Sequence, residues 1–264
     1  MKLQVLVTTM YQNNFNLFES MNLRSDTLIA NQSNSNEYKE KVINEHLVQM
    51  ITTDTRGLSR NRNIALALSA QNADLLMFSD DDLVFSEGYE QSVIKEFESH
   101  PEAEAIKFNL HDLSATRKIS MKPIERYEKA TRLNMSASGV CGLVIKRETI
   151  IKNNLRFRED FGAGTPNKSG EDTIFIMELL EKTVPLFRSP IDIAGIDQTE
   201  SCWYKGYDDR FFQTAGKVLG ISFSKFAYLL AIRSAYRFTR KDNCNFGFSR
   251  ILKNYYIGIR NRET

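Results

Sequence analysis

Cysteine is scarce in this sequence. Three occur in 264 residues, Cys141, Cys202 and Cys244, far apart and odd in number, with no Cys-x-x-Cys pair and no cysteine–histidine cluster. That excludes a disulfide framework and a zinc site of cysteine and histidine, and it fits a reducing compartment. Histidine is equally sparse: His46, His100 and His111 stand apart and read as structural or surface residues. No run of 18 apolar residues occurs, so no spanning helix is expected. The opening MKLQVLVTTM is too short and too broken by threonine for a signal peptide and reads as a strand. A net charge of only +2 gives no electrostatic footprint of a nucleic-acid binder. Neither an internal repeat nor a linker between two domains can be seen.

What is present is the balance of a globular chain, 42% hydrophobic and 26% charged, long enough for one large domain or one domain with an extension. The charge is unevenly distributed. Residues 217–264 hold ten Lys/Arg and two Asp/Glu, a net of +8, which leaves −6 for residues 1–216. A basic tail on an acidic body suggests an anionic partner. Apolar β-prone runs mark strands at Leu3–Thr9, Thr27–Ala30, His46–Ile51, Asp74–Ser79 and Ala105–Leu110. Helical patterns cover Gly57–Ala70, Tyr89–Ser99 and Glu171–Thr183, and the chain from about Asp208 onward. Asn31–Asn36 and Phe161–Gly170 are loops by composition, and residues 111–141 have little pattern. Strands alternating with helices at this spacing predict an α/β fold, a mostly parallel sheet with helices on its faces. Ligands bind such sheets at the carboxyl ends of the strands.

Three motifs carry chemistry, each with a plainer alternative. LLMFSDDDLVF (residues 75–85) ends a strand in Asp80, Asp81 and Asp82. Two such charges about 4 Å apart repel by roughly 4 kcal/mol at an effective dielectric of about 20. Water in a solvated turn would relieve this, and so would a divalent cation, since magnesium takes one or two carboxylates plus substrate phosphate. GEDTIF (Gly170–Phe175) opens a helix; Ser169-x-x-Asp172 is a capping-box pattern, and the same acids could face a cleft as a base. GLSRNRN (Gly57–Asn63) is either a helix start with a solvated basic face or an anion site at a helix N-terminus, helped by Arg60 or Arg62.

In this order and spacing, LVTTMYQ, NQS, GLSRNRNIAL, FSDDDLVF and GEDTIF resemble nucleotide-sugar glycosyltransferases of family 2, with the GT-A (Rossmann-like) fold. The resemblance covers roughly residues 1–205. It implies a catalytic domain over 1–205, with a nucleotide-sugar half at about 1–110 and an acceptor half at about 111–205, followed by a basic, aromatic helical extension at 206–264. It implies an inverting, Mn²⁺- or Mg²⁺-dependent transfer of sugar, with a UDP-sugar as donor, to an acceptor hydroxyl in bacterial surface polysaccharide synthesis (capsule, O-antigen or exopolysaccharide). Asp172 would be the base and Glu171 would position the acceptor. Thr8, Thr9, Asn31, Gln32, Arg62, Asp80 and Asp81 would bind donor, and Asp80 and Asp82 the metal. The family often has Asp-x-Asp-Asp, whereas Ser79 precedes three aspartates here, so Asp80 and Asp82 may form the outer pair or Asp81 and Asp82 may serve alone. Trp203 and Gly164 are the acceptor-side candidates.

The implied acceptor is a saccharide, free or carried on a polyprenyl diphosphate. KFAYLLAIRSAYRF (Lys225–Phe238) is too short and too charged to span a bilayer. It could pack on the domain, lie on an anionic membrane or join a second copy of the chain. The expected location is the cytoplasm, at the inner face of the plasma membrane if the tail binds lipid. Two rival readings are a metal-dependent nucleotidyltransferase on a similar sheet and a non-catalytic sugar-binding or scaffold protein.

Overall fold

The computed structural model describes residues 1–113, 123–136, 138–197 and 206–263. The elements run β1 (Leu3–Met10), α1 (Asn16–Ser20), β2 (Asp26–Gln32), β3 (Glu37–Ile43), β4 (His46–Thr53), α2 (Leu58–Ala67), β5 (Leu75–Asp80), β6 (Leu83–Phe85) and α3 (Tyr89–Ser99). They continue through β7 (Ala105–Asp112), β8 (Glu128–Lys129), β9 (Leu143–Lys146), α4 (Arg147–Lys152), α5 (Glu171–Glu181), β10 (Leu186–Ile196), α6 (Asp209–Phe223), α7 (Ala227–Phe238) and α8 (Phe248–Arg260).

The ten strands form one sheet in the order β3-β4-β2-β1-β5-β9-β7-β10-β6, with β8 on β10. β4, β2, β1, β5, β7 and β10 point one way, and β3, β6, β8 and β9 oppose them. The mostly parallel sheet expected from the alternation of strands and helices is therefore present. Its central strands are apolar on both faces because both are covered. Leu3, Val5 and Val7 of β1 join Phe18, Tyr89, Val93 and Phe97 on the α1/α3 side. Leu6, Leu28, Leu76 and Phe78 meet Ala65, Ile150, Phe175 and Met177 on the α2/α4/α5 side. The pleat alone divides the strand residues between two cores.

The two longest strands that went unread in the sequence are β3 and β10. β3 is an edge arm whose EYKEKVI residues are all exposed or partly so; with no buried face there is no hydrophobic alternation to detect. β10 contains Arg188, Pro190 and Asp192, and its register slips against β7 between Arg188 and Ala194. Proline and a bulge interrupt the periodic signal there. The helix expected over 57–70 is shorter, Leu58–Ala67.

The C-terminal helices have an apolar cluster of their own around Phe212, Ala231, Ile251 and Tyr255. By length and composition the helical stretch Asp209–Phe238 could cross a membrane, contrary to the expectation from the sequence. It is not one span. Ser224 breaks it at φ 39°, and the ring of Phe212 near its start lies 5.3 Å from that of Phe238 at its end. The stretch thus folds back as a hairpin of α6 and α7. The 15-residue α6 reaches about 22 Å, less than the roughly 30 Å of a hydrocarbon core.

α6 crosses α8 with backbones in contact. A Cβ on Gly258 would lie 2.0 Å from the Gln213 carbonyl oxygen, and one on Gly216 would lie 2.3 Å from that of Tyr255. Gly258→Ala gains about 1 kcal/mol of helix propensity. Because its new methyl meets backbone, the overpacking penalty of about 1–3 kcal/mol or more should win. Lowered thermal stability with faster hydrogen exchange in α8 is the expected result; unchanged exchange would mean that the crossing is looser than described.

Candidate active site

The register of the parallel strands gathers the first group of candidates. Thr8 pairs with Asp80 across β1 and β5, while Thr9 and Met10 pair with Asn31 and Gln32 across β1 and β2. All lie at carboxyl ends of strands, where β1, β2 and β5 stop side by side.

The three aspartates have three different environments. Asp80 Oδ1 accepts from the Thr8 hydroxyl at 2.7 Å and from Arg62 Nη2 at 3.0 Å; its Oδ2 accepts from Arg62 Nη2 at 3.2 Å and from the Cys141 thiol at 3.3 Å. Burial opposes the Asp80 charge, but the Arg62 guanidinium and the Thr8 hydroxyl outweigh it and hold the carboxyl below its usual range. Asp81 is exposed and accepts from the Thr9 hydroxyl at 2.5 Å. Asp82 Oδ1 is buried with no hydrogen-bond partner among the described residues. Burial, then repulsion from Asp80 and Asp81, pushes its carboxyl up to about 7. The turn at residues 81–82 is real, yet it is not merely solvated.

Arg62 joins this group to the second motif. It is 2% exposed, lies 5.3 Å from the centre of the Phe157 ring, and donates through Nη1 to Asp172 Oδ1 at 2.5 Å. Asp172 Oδ2 accepts from the Val140 backbone N–H at 3.0 Å. Glu171 Oε1 stands 3.8 Å from the same guanidinium. Residues 18 and 110 positions from Arg62 in the chain thus share one buried cation.

The capping-box alternative fails. Gly170 takes the position before α5 in a left-handed conformation, φ 106°, and no side chain caps that helix end. The Asp172 carboxylate turns to Arg62 instead. At the start of α2 the Gly57 N–H donates to Gln32 Oε1 at 2.8 Å, the Leu58 N–H donates to the Ala163 carbonyl at 3.0 Å, and Arg60 pairs with Glu159 at 2.9 Å. Protein groups take those donors.

Against this geometry, no family model matches the chain, and no curated protein sequence matches it. The chain shares its fold with TarS of S. aureus. A structure of TarS 1–349 in complex with UDP-GlcNAc aligns with a TM-score of 0.63 at 13% identity over 100% of this chain and 72% of that one. A second structure of TarS 1–349 gives 0.58 at 12% identity over 97% and 71%. The longer TarS structure gives 0.60 at 13% identity, and this chain spans 43% of it.

The remaining candidates are distributed as follows. Asn31 and Gln32 are buried and hold backbone. Asn31 exchanges hydrogen bonds with both the N–H (2.9 Å) and the carbonyl (2.8 Å) of Gln12, and Gln32 holds the start of α2. They shape the strand-end cleft by fixing its loops. Gly164, at φ 84°, packs against Gly57, where a Cβ would lie 3.3 Å from that backbone, so its place is in the loop beside α2. Trp203 lies outside the described residues.

The sequence reading missed Cys141, Val140, Phe157 and Lys107. Lys107 is 9% exposed; burial pushes its amine down to about 8, and it donates to the Cys141 carbonyl. These residues pack behind the acids; Val140 and Cys141 end a stretch with little pattern, Phe157 sits among charged residues and Lys107 lies inside an apolar strand run, so nothing local marks them.

Glu171 is 9% exposed, and its Oε2 has no hydrogen-bond partner among the described residues. Burial, then the neighbouring Asp172 charge, raises its carboxyl from 4.5 to about 7. A raised folded-state value means that the native protein holds this proton more tightly than the unfolded chain. The associated stability is full below about 4.5 and is lost as pH rises to about 7. Glu171→Gln should therefore flatten the decline of unfolding free energy over that interval. An unchanged pH profile in the variant would show that another group carries it.

Proposed function

We propose that the protein is an inverting glycosyltransferase that moves a sugar from a UDP-sugar to an acceptor hydroxyl. The carrying observation is Arg62, which binds Asp80 at the end of β5 and Asp172 at the start of α5 in one ion-paired group. The fold is that of TarS, crystallised with UDP-GlcNAc and with UDP, which supports a nucleotide-sugar donor.

The donor lies in the cleft at the ends of β1, β2 and β5. Thr8 and Thr9 set the orientation of Asp80 and Asp81, while Asn31 and Gln32 fix its walls. Asp172 is the base: the acceptor oxygen forms its bond to the anomeric carbon as the bond to the diphosphate breaks, the hydroxyl proton passes to Asp172, and UDP leaves. Arg62 orients that carboxylate, and Glu171 borders the acceptor side.

Among the described residues, no three acidic, cysteine or histidine side chains form a ready metal cluster. A divalent cation nevertheless fits. The unpartnered buried oxygen of Asp82 suits a hard ion such as magnesium or manganese, which prefers oxygen ligands. Asp82 would be the direct ligand, with Asp80 beside it held by Arg62. Such an ion, when bound, offsets charge on the leaving diphosphate. We place the reaction in the cytoplasm, on a saccharide or a polyprenyl-diphosphate-linked saccharide in bacterial surface polysaccharide synthesis; family resemblance alone supports that part. The test is product analysis with UDP-sugars and Mn²⁺. Release of UDP, with sugar transferred or hydrolysed, is expected; no UDP from the UDP-sugars, with release of pyrophosphate from UTP and a sugar 1-phosphate in a parallel assay, would identify a nucleotidyltransferase.

A further inference from the structure

Helix α7 is built the wrong way round for a surface helix. Its inward positions are the small residues Ala227, Ala231 and Ala235, all fully buried against α6 and α8. Its outward positions carry the large ones: Leu229 is 65% exposed, Tyr236 51% and Ile232 42%, and Phe226 just before the helix is 66% exposed. Leu229, Ile232 and Tyr236 stand three and four residues apart, so they form one stripe along the helix. The Tyr228 ring meets Tyr256 at 5.0 Å and extends the apolar surface onto α8. A helix packed on a soluble body normally shows the opposite arrangement, with its large apolar side chains inward.

The charges around the stripe are all of one sign. Arg233 lies within it, Lys225 and Arg237 flank it, and Arg240 stacks on the Tyr236 ring at 4.3 Å. Lys225, Arg233 and Arg237 have no carboxylate partner among the described residues. A two-fold contact between copies of this face would bring these cations against themselves, because an isologous interface uses the same patch on both sides. A surface both apolar and negative satisfies the side chains and the charges together.

We propose that the outer face of α7 is a docking surface for an anionic lipid bilayer. Leu229, Ile232 and Phe226 enter the boundary between headgroups and acyl chains, and the basic residues meet lipid phosphate. The α6–α7 hairpin lies on the bilayer without crossing it. This inference does not depend on the chemistry of the strand-end cleft.

The test is sedimentation of the full chain with vesicles of phosphatidylcholine alone and of phosphatidylcholine mixed with phosphatidylglycerol. Binding to the mixed vesicles only, weakened by salt, is expected. Leu229→Ser with Ile232→Ser, and separately Arg233→Gln with Arg237→Gln, should each lower partitioning by roughly tenfold or more, with melting temperature unchanged because these side chains are exposed. Absence of binding to the anionic vesicles, equal binding to both compositions, or equal binding by all variants would overturn the proposal. So would sedimentation velocity without lipid showing an oligomer that dissociates on Leu229→Ser with Ile232→Ser, since a second copy would then cover the face.

Discussion

Replacing Arg62 with methionine is expected to destabilise the protein by about 3 kcal/mol and to abolish turnover. Methionine keeps much of the apolar length of the side chain, so the main loss is the guanidinium with its charge, including its approach of 5.3 Å to the Phe157 ring centre. What remains is Asp80, Asp172 and Glu171 facing one another without the cation that held them. Removing one partner of a buried ion pair typically costs about 3–5 kcal/mol, because the survivor is left charged and unpaired. Here the Asp80 and Asp172 side chains keep 30% and 26% of their exposure, which places the effect at the lower end. The sign with pH follows. In the native chain Arg62 helps hold the Asp80 carboxyl below its usual range, so that contribution is present at neutral pH and lost in acid. The gap between wild type and Arg62→Met should therefore narrow as the carboxylates protonate. Urea unfolding at neutral and at acidic pH measures both. Arg62→Lys should recover part of the stability and little activity, since an ammonium is a single point and cannot fork between two carboxylates. An Arg62→Met protein within about 0.5 kcal/mol of wild type, the range of an ordinary surface change, would mean that the ion-paired group does not form.

Asp172→Asn should lower turnover by about 10²- to 10⁴-fold, the usual contribution of a positioned acid or base, with donor affinity little changed. Asparagine occupies the same space and can still accept from the Val140 N–H, so the loss reports the missing base and the missing ion pair. Single-turnover rates and donor titration separate the two effects. Glu171 supplies the internal comparison: it is adjacent, more buried and also near Arg62. Near-normal turnover in Asp172→Asn together with collapse in Glu171→Gln would transfer the role of base to Glu171.

The local signals in the sequence translated well into structure. The β-branched runs of β1, β2, β4, β5 and β7 and the helical period of α3 were legible because each element carries its own periodicity. The motifs FSDDDLVF and GEDTIF were legible because acids at the edge of an apolar run are conspicuous. What could not be read was their union. Arg62 reaches Asp172 across 110 residues, and the Val140 N–H that completes the group lies at the end of a stretch with little pattern. Asn31 and Gln32 looked like loop residues because they are polar, yet they end β2 and hold backbone. The capping-box pattern at Ser169 misled for a conformational reason: Gly170 in its left-handed conformation takes the position before the helix, and Asp172 is left free to turn inward.

The most direct test of the central claim is thermal unfolding against UDP-, GDP-, dTDP- and CMP-sugars, each with and without Mn²⁺. A ligand that binds only the native state stabilises it by RT ln(1 + [L]/Kd). The expected result is a rise in melting temperature with UDP-sugars that requires the cation and disappears in Asp82→Ala. No rise with any sugar nucleotide, or an equal rise in Asp82→Ala, would contradict a donor site built on these aspartates.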